Sequence, residues 1–348
     1  MKAWRVLRHG RPSEALAFED VDEPAPEAGE LLVRVSATAC NLNEVDGCYG
    51  RYKTVDPDLP YTLGMEAVGI VEGVGVGASE EWLGQRVLAC GRGATGAHAE
   101  LVVGPTDMAF AAPPKLSDTE AAAFYFPYHV AWASLVERGK LEAGETALVH
   151  GGAGGVGSAA IQLAKARGAR VIATAGSAEK VEFCRKLGAD VAINYRDGDL
   201  HDAVGEATGG RGVDVACDLV GGEVTQQTMG VMAYGGRLML TGFSGGIEAE
   251  DEAGLLPRPI IFGNFSVSGV LMSYGDPDAF GLVGIHMIPR ATGVAMHDQL
   301  VALLEQGVIR PVVGRTASAA ELPAELERME RRETMGRTIL DWTGVDPA

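Results

Sequence analysis

Apolar residues in the first third of the chain fall into short runs that glycine and proline interrupt, and these runs have no helical period. Short apolar runs bounded by turn residues are typical of β-strands. Residues 1–122 therefore predict a mostly β domain, with strands at 31–37, 67–71, 86–89 and 97–103.

The pattern changes at about residue 123, where apolar runs of strand length begin to alternate with stretches of helical period. Such alternation predicts an α/β fold with a doubly wound parallel sheet, the Rossmann arrangement. The expected strands are 147–150, 170–175, 191–194, 213–218, 237–241 and 265–271, with helices between the first five at 156–167, 178–188, 199–208 and 222–232. After them we expect a loop, a helix at 296–306 and a strand–helix–strand tail that begins near 310 and ends with 337–342.

A glycine-rich loop, 150–157, joins the first of these strands to the first helix. Gly152, Gly154 and Gly157 have the spacing of the dinucleotide fingerprint, which allows a tight turn, a close approach of backbone to pyrophosphate, and close helix packing. Gly155 and Val156 open the helix, where backbone amides and the helix dipole favour an anion. In a chain with 48 glycines, a glycine loop without a ligand is the alternative.

The end of the second expected strand favours NADP(H) over NAD. A site for NAD places an acidic residue there to hold the ribose hydroxyls, but this strand ends without one and is followed by Ser177 and Lys180. Both side chains can donate hydrogen bonds to a 2′-phosphate. Two alternatives stay open: Ser177 as a helix N-cap with a solvated Lys180, and Glu179 turned toward the ribose.

Composition excludes several classes of function. A net charge of −18 repels nucleic acid and anionic lipid surfaces, so neither is an expected partner. No apolar run approaches the length of a membrane span, and residues 1–8 lack a signal-peptide core, so we expect a cytoplasmic protein. The five cysteines have no CxxC spacing, which predicts neither a disulfide framework nor a zinc knuckle.

Six short motifs, in this order, resemble the zinc-free quinone oxidoreductase (zeta-crystallin-like) branch of the medium-chain dehydrogenase/reductase superfamily. They are 39–43 with Asn41, 64–69, 84–87, 151–157, 193–195 and 334–337. The resemblance implies a GroES-like catalytic domain at 1–122 and 273–348, a Rossmann NADP(H)-binding domain at 123–272, and an active site in the cleft between them. It also implies a homodimer joined through the last Rossmann strand.

The resemblance adds cofactor contacts. It places Tyr195 beside the adenosine phosphate, Arg332 at the 2′-phosphate, and backbone groups of Gly242 and Phe243 at the carboxamide. For Tyr195 the alternative is a partly buried ring at a strand end. For Arg332 it is a solvated surface side chain.

Zinc is not expected in this chain. Zinc-dependent members of the superfamily hold their catalytic metal with cysteine, histidine and a further cysteine or acid. The matching positions here are Asn41, Met65 and, less securely aligned, Phe126, and none of these side chains is a zinc ligand.

Without a Lewis acid, hydride addition to an already activated acceptor remains feasible. The resemblance places Tyr52 in the cleft as a proton donor, and Asn41 could hold the nicotinamide or the substrate oxygen. Tyr49, Arg51 and His129 are weaker candidates, and His150 is expected to pack beside the glycine loop. We therefore expect an NADPH-dependent reductase of a small-molecule quinone or α,β-unsaturated carbonyl compound. The alternatives are an enoyl-thioester reductase, a nucleotide-binding protein without catalysis, and a zinc alcohol dehydrogenase.

Overall fold

A computed structural model describes residues 1–52, 55, 57–247, 254–281 and 284–345. In chain order its strands are β1 (Lys2–Val6), β2 (Leu16–Asp20), β3 (Glu30–Ala39), β4 (Tyr61–Thr62), β5 (Glu66–Val74), β6 (Arg86–Cys90), β7 (Leu101–Pro105), β8 (Phe110–Ala111), β9 (Thr146–Val149), β10 (Arg170–Ala175), β11 (Val191–Asn194), β12 (Val213–Asp218), β13 (Met232–Leu240), β14 (Ser266–Gly269), β15 (Tyr274–Gly275), β16 (Ile288–Pro289), β17 (Val313–Ser318) and β18 (Arg337–Asp341). The α-helices are α1 (Pro12–Ala15), α2 (Leu42–Tyr49), α3 (Asp118–Trp132), α4 (Gly155–Ala166), α5 (Ala178–Lys186), α6 (Leu200–Thr208), α7 (Glu223–Met229), α8 (Pro257–Gly263), α9 (Arg290–Glu305) and α10 (Leu322–Glu330).

The chain divides into two units. The first comprises Met1–Phe126, Ser273–His297 and Pro311–Ala348, and the second comprises Pro127–Met272 and Asp298–Arg310. The expected boundary between 122 and 123 falls inside α3, four residues before the observed division. Residues 298–310, which we expected in the catalytic domain, group with the second unit.

The first unit is built mostly on antiparallel strands, although β17 pairs with β18, and β15 with β16, in parallel. Its larger sheet has the order β17-β18-β3-β5-β6-β8, with β7 also pairing with β3, and a smaller sheet has the order β2-β1-β4. The predicted strand at 97–103 starts later, at Leu101, because Ala99 forms only an isolated bridge with Ala3. The mostly β prediction is confirmed for this unit.

Helix α2 was not expected in this region. It is only two turns long and carries Asp46 and Gly47, so it has little helical propensity. Local contacts define it instead. The Glu44 carboxylate accepts a hydrogen bond from the backbone N–H of Asn41 at 3.0 Å. The helix ends at Gly50, whose φ of 68° favours glycine.

The second unit contains the parallel sheet that the alternation predicted. Its strand order is β11-β10-β9-β12-β13-β14, which is the doubly wound order of a Rossmann domain. Leu148, Ile172 and Leu238, from three of its strands, are fully buried in its core. The helix predicted at 222–232 ends at Met229 because the chain enters β13 at Met232, and β14 is shorter than predicted. Within the described ranges, no helix has both the length and the hydrophobicity to cross a membrane.

Candidate functional site

The glycine loop lies at the carboxyl end of β9, in the middle of the parallel sheet. Gly154 is the N-cap of α4 and has no side chain that could occupy the amides of the first turn, which suits a ligand there. Two positions of the loop exclude a side chain. A Cβ on Gly157 would lie 2.2 Å from the Gly151 carbonyl oxygen. A Cβ on Gly152 would lie 2.9 Å from Cys184 Sγ. The geometry is that of an anion site at a helix N-terminus.

His150 is a structural residue beside this loop. It is 2 % exposed, and its two ring nitrogens contact Thr174 Oγ1 at 3.0 Å and Thr228 Oγ1 at 2.8 Å. Because the Thr228 hydroxyl donates to the Val224 carbonyl, its oxygen must accept from Nε2–H, and Nδ1 then accepts from Thr174. Burial lowers the pKa of His150, which suits this neutral form.

Ser177, Lys180 and Tyr195 gather where β10 and β11 end. The Ser177 oxygen accepts a hydrogen bond from the Lys180 backbone amide at 3.3 Å, so Ser177 is the N-cap of α5. The cap uses the oxygen as acceptor and leaves the hydroxyl hydrogen to donate. The half-exposed Tyr195 lies against the same turn, since a Cβ on Gly176 would come within 2.5 Å of its hydroxyl. Three hydrogen-bond donors therefore surround one turn.

Gly242 and Phe243 follow β13 at the same edge of the sheet as the glycine loop. The Gly242 amide donates to the Asp218 carbonyl oxygen at 3.1 Å, at the end of β12. The Asp218 carboxylate is held by the amides of Val220 and Gly221 at 2.9 and 3.1 Å. Ligands of doubly wound sheets bind at this carboxyl edge.

Asn41, in the first unit, lies at the centre of a buried polar network. It is 3 % exposed. Its Nδ2 donates to the Ala39 carbonyl at 3.1 Å and lies within 3.4 Å of carboxylate oxygens of Glu44 and Glu66. Its Oδ1 accepts from Arg337 Nη1 at 3.0 Å. Both ends of the amide are therefore occupied by protein groups.

Glu66 and Arg337 form the ion pair of this network. Both are more than nine-tenths buried, and Arg337 Nη2 donates to Glu66 Oε1. Burial raises the pKa of Glu66 to about 7, although Arg337 and the Phe126 amide oppose the shift. The sequence motifs 64–69 and 334–337 contain both residues, but their pairing was not foreseen.

Glu44 is the second carboxylate of the network, and its role was also not foreseen. Its oxygens accept hydrogen bonds from the backbone N–H groups of Asn41 and Met65 at 3.0 and 3.2 Å. They also contact His98 Nε2 at 3.0 Å. Burial opposes the charged form, but His98 and Asn41 hold the pKa of Glu44 below its usual range. Thr38 lies against the other nitrogen of His98, at 2.9 Å.

The positions that match the zinc ligands of related dehydrogenases come together here. The side chain of Asn41 and the backbone N–H of Phe126 both contact Glu66, and the backbone N–H of Met65 contacts Glu44. An amide, a phenyl and a thioether do not form a tetrahedral zinc site, and the Asn41 amide is already engaged. Zinc therefore does not fit these residues. Of the described residues, one group of three carries ligand atoms close enough to share an ion, and it is the exposed Asp199, His201 and Asp202 of the second unit.

A narrow pocket in the first unit contains Tyr52. It is bounded by the start of α2, the chain before β4 and the turn before β5, and its lining includes Asn43, Met65 and Tyr61. Its free volume is about 20 Å³, which holds one water-sized group. Asn43 was not singled out in the sequence, because a polar residue at a helix start gives no signal of its own.

The remaining candidates have other surroundings. The Arg51 guanidinium lies 4.3 Å from the centre of the Tyr49 ring and pairs with Asp46 at 3.2 Å. His129 is fully buried in α3. Arg332, in the first unit, is exposed just beyond α10, with a φ of 61°.

Comparisons with known proteins agree with this geometry. Residues 27–114 match the alcohol dehydrogenase GroES-like domain and residues 155–283 match the zinc-binding dehydrogenase family. The quinone oxidoreductase of Rattus norvegicus is 31 % identical over 319 residues, which are 90 % of this chain and 89 % of the rat protein. The crystal structure of Escherichia coli quinone oxidoreductase complexed with NADPH has a TM-score of 0.85 and 28 % identity, over 98 % of this chain and 100 % of that chain.

Proposed function

This chain belongs to the zinc-free quinone oxidoreductase family of the medium-chain dehydrogenases/reductases, and from that premise we propose that it reduces quinones or α,β-unsaturated carbonyl compounds. The chain is an NADP(H)-dependent oxidoreductase that acts on a small molecule. The observation that carries the proposal is the pair of sites described above. One is the glycine turn before α4 with Ser177, Lys180 and Tyr195 at the ends of the neighbouring strands, and the other is the pocket lined by Tyr52.

The residues fit the cofactor. The loop from Gly152 through Gly154, Gly155 and Val156 to Gly157 would hold the pyrophosphate on backbone amides. Ser177, Lys180 and Tyr195 would hold the 2′-phosphate from one turn. We propose the same phosphate role for Arg332, and backbone contacts to the carboxamide for Gly242 and Phe243.

The bound nicotinamide supplies a hydride, and the protein supplies position and a proton. We propose that the Tyr52 hydroxyl donates that proton to the acceptor oxygen, since a phenol can act as a general acid. Asn41 has an indirect, positioning role in this proposal. Its amide joins Arg337 to Glu66 at the base of α2, so it positions the helix that bounds the pocket rather than touching the substrate.

The test is oxidation of NADPH, followed by its absorbance, with a panel of quinones, enones and enoyl thioesters. Turnover with quinones or enones supports the proposal, and turnover with thioesters alone would move the chain to the enoyl-reductase alternative. Tight NADPH binding without turnover of any acceptor would show a nucleotide-binding protein instead. Tyr52→Phe tests the role of Tyr52 apart from the proposed function, because it removes only the hydroxyl that would donate the proton.

Replacing Lys180 by alanine is expected to raise the KM for NADPH about 10- to 100-fold, the equivalent of one lost charge-assisted hydrogen bond of about 1.5–3 kcal/mol. The KM for NADH should change little, because NADH has no 2′-phosphate. Lys186→Ala is the matched control, since Lys186 is exposed at the far end of the same helix. Equal losses for both cofactors would contradict the assignment of Lys180.

We also propose a homodimer joined through β14. This strand is at the edge of the parallel sheet, and an unpaired edge needs a cover. Beside it, Ile261 and Phe262 of α8 are 66 % and 77 % exposed, and Tyr234 is 86 % exposed. Sedimentation equilibrium should give twice the chain mass of 36.3 kDa; a monomer at micromolar concentration would overturn the proposal.

A further inference from the structure

A buried histidine connects the glycine loop to the turn that carries Ser177 and Lys180. His150 directly precedes the loop, and its Nδ1 contacts the hydroxyl of Thr174 on β10, three residues before Ser177. We propose that His150 is a positioning residue for the cofactor, which acts through Thr174 to hold the pyrophosphate site and the 2′-phosphate site at a fixed spacing. The inference rests on the proposed cofactor contacts and deepens them, because it names a residue that sets the preference for NADPH over NADH.

The backbone pairing of β9 with β10 stops just before both sites. Among the described residues, the last pair of these two strands is Val149 with Ala173. Beyond that pair, two contacts join the loop to Thr174. The backbone N–H of Gly152 donates to the Thr174 carbonyl oxygen at 2.9 Å, and His150 Nδ1 lies 3.0 Å from the Thr174 hydroxyl. The loop therefore holds Thr174 by its backbone and by its side chain.

The ring of His150 is itself held from a third element, α7. Its Nε2–H donates to the Thr228 hydroxyl at 2.8 Å, and that hydroxyl donates to the Val224 carbonyl oxygen at 2.6 Å. The side chains of His150, Thr174 and Thr228 are all buried. The ring therefore cannot turn away from Thr174 without leaving buried polar atoms unpaired, which is unfavourable.

The spacing matters more to NADPH than to NADH, because NADPH has a phosphate group at each of the two sites. Its pyrophosphate would bind the amides at the start of α4, and its 2′-phosphate would bind Ser177 and Lys180 at the start of α5. A ligand held at two points binds with full affinity only where the protein keeps both points preorganised. NADH uses the first site alone, so a loosened connection should weaken its binding less.

Two variants of His150 each keep one of its two hydrogen bonds. His150→Asn places an acceptor oxygen near the position of Nδ1 and keeps the contact with Thr174, whereas His150→Gln places a donor nitrogen near the position of Nε2 and keeps the contact with Thr228. Each variant loses one buried hydrogen bond, so chemical denaturation should show similar losses of stability. Fluorescence titration should show NADPH affinity about tenfold weaker in His150→Gln and within about threefold of the wild type in His150→Asn. NADH affinity should change less than about threefold in both, and kcat at saturating NADPH should stay near the wild-type value, because only binding is lost.

Thr174→Val tests the same contact from the other strand and keeps the shape of the side chain. We expect it to weaken NADPH binding about tenfold, and to add little to the loss in His150→Gln, because both changes break one contact. Thr208→Val is the matched control. Its hydroxyl also bonds the backbone, at the Val204 carbonyl and the Gly212 amide, but it lies at the end of α6, at the opposite edge of the sheet from the glycine loop. This control should lose stability and keep its NADPH affinity.

Equal NADPH affinity in His150→Asn and His150→Gln would overturn the positioning role, and so would losses of affinity that simply follow stability across all the variants, Thr208→Val included. Equal losses for NADPH and NADH would also overturn it, since they would show a deformed glycine loop. A wild-type protein that does not bind NADPH would overturn the proposed cofactor contacts and this inference together. The titrations need no acceptor, so NADPH binding without turnover would overturn the proposed reductase activity alone, and the order of affinities would still decide the role of His150.

Discussion

Replacing Arg337 by leucine is expected to lower the free energy of unfolding by about 3–5 kcal/mol, because it leaves a buried carboxylate without its charge partner. Glu66 is 2 % exposed, and Arg337 reaches both this residue and the amide of Asn41. Chemical denaturation followed by circular dichroism measures the loss. The surface pair Arg34–Glu72 offers a matched control, since its side chains are 52 % and 39 % exposed and Arg34→Leu should cost less than about 1 kcal/mol.

The stability lost in Arg337→Leu should increase as the pH rises through the range in which Glu66 ionises. Burial raises the pKa of Glu66 above its ordinary value of 4.5, to about 7, and Arg337 opposes this shift. A raised folded-state pKa contributes stability that is present below pH 4.5 and is lost as the pH rises through the folded value. Without Arg337 the folded value rises further, so the variant should lose more stability than the wild type between pH 5 and 8. A cost that is constant over this range, or equal to that of Arg34→Leu, would contradict this account of the pair.

The parts of the molecule that local sequence determines were predicted well. The strand and helix periods after residue 123 gave the Rossmann sheet, and the glycine spacing placed the loop at the end of its first strand. A turn of this kind is encoded within eight residues, since the clash that excludes a side chain at Gly157 comes from Gly151. The N-cap position of Ser177 was equally local, and the structure has it at the start of α5.

The network around Asn41 could not be predicted in the same way. Arg337 and Asn41 are 296 residues apart in the chain, and they meet because β18 pairs with β3. A polar residue before a helix is compatible with a substrate contact, a helix cap or the centre of a buried polar network. Only the pairing of these strands shows that a buried network forms around Asn41.

Replacing Gly157 by alanine is expected to weaken NADPH binding at least 100-fold, because the new Cβ would lie 2.2 Å from the Gly151 carbonyl oxygen and 2.8 Å from the Gly152 Cα. Both neighbours are backbone atoms, so the start of α4 must move away from β9, and the amides that face the pyrophosphate move with it. Fluorescence titration with NADPH measures the affinity. Gly205→Ala, in α6, is the control for the substitution itself: apart from its chain neighbours and the backbone of its own helix, no described atom lies within 4 Å of the added Cβ. Alanine there should leave NADPH affinity unchanged while adding up to about 1 kcal/mol of stability.

Gly154→Ala separates a clash within the protein from a clash with the ligand. Its Cβ would contact the Gly151 oxygen at an ordinary 3.4 Å, and its φ of −79° and ψ of 179° suit any residue. The folded protein should therefore tolerate the change within about 0.5 kcal/mol, while NADPH affinity falls because the pyrophosphate needs the space above this residue. If Gly154→Ala bound NADPH as tightly as the wild type and Gly157→Ala did not, the loop would act through its own packing, and the proposed path of the pyrophosphate would be wrong. Wild-type affinity in both variants would place the cofactor elsewhere.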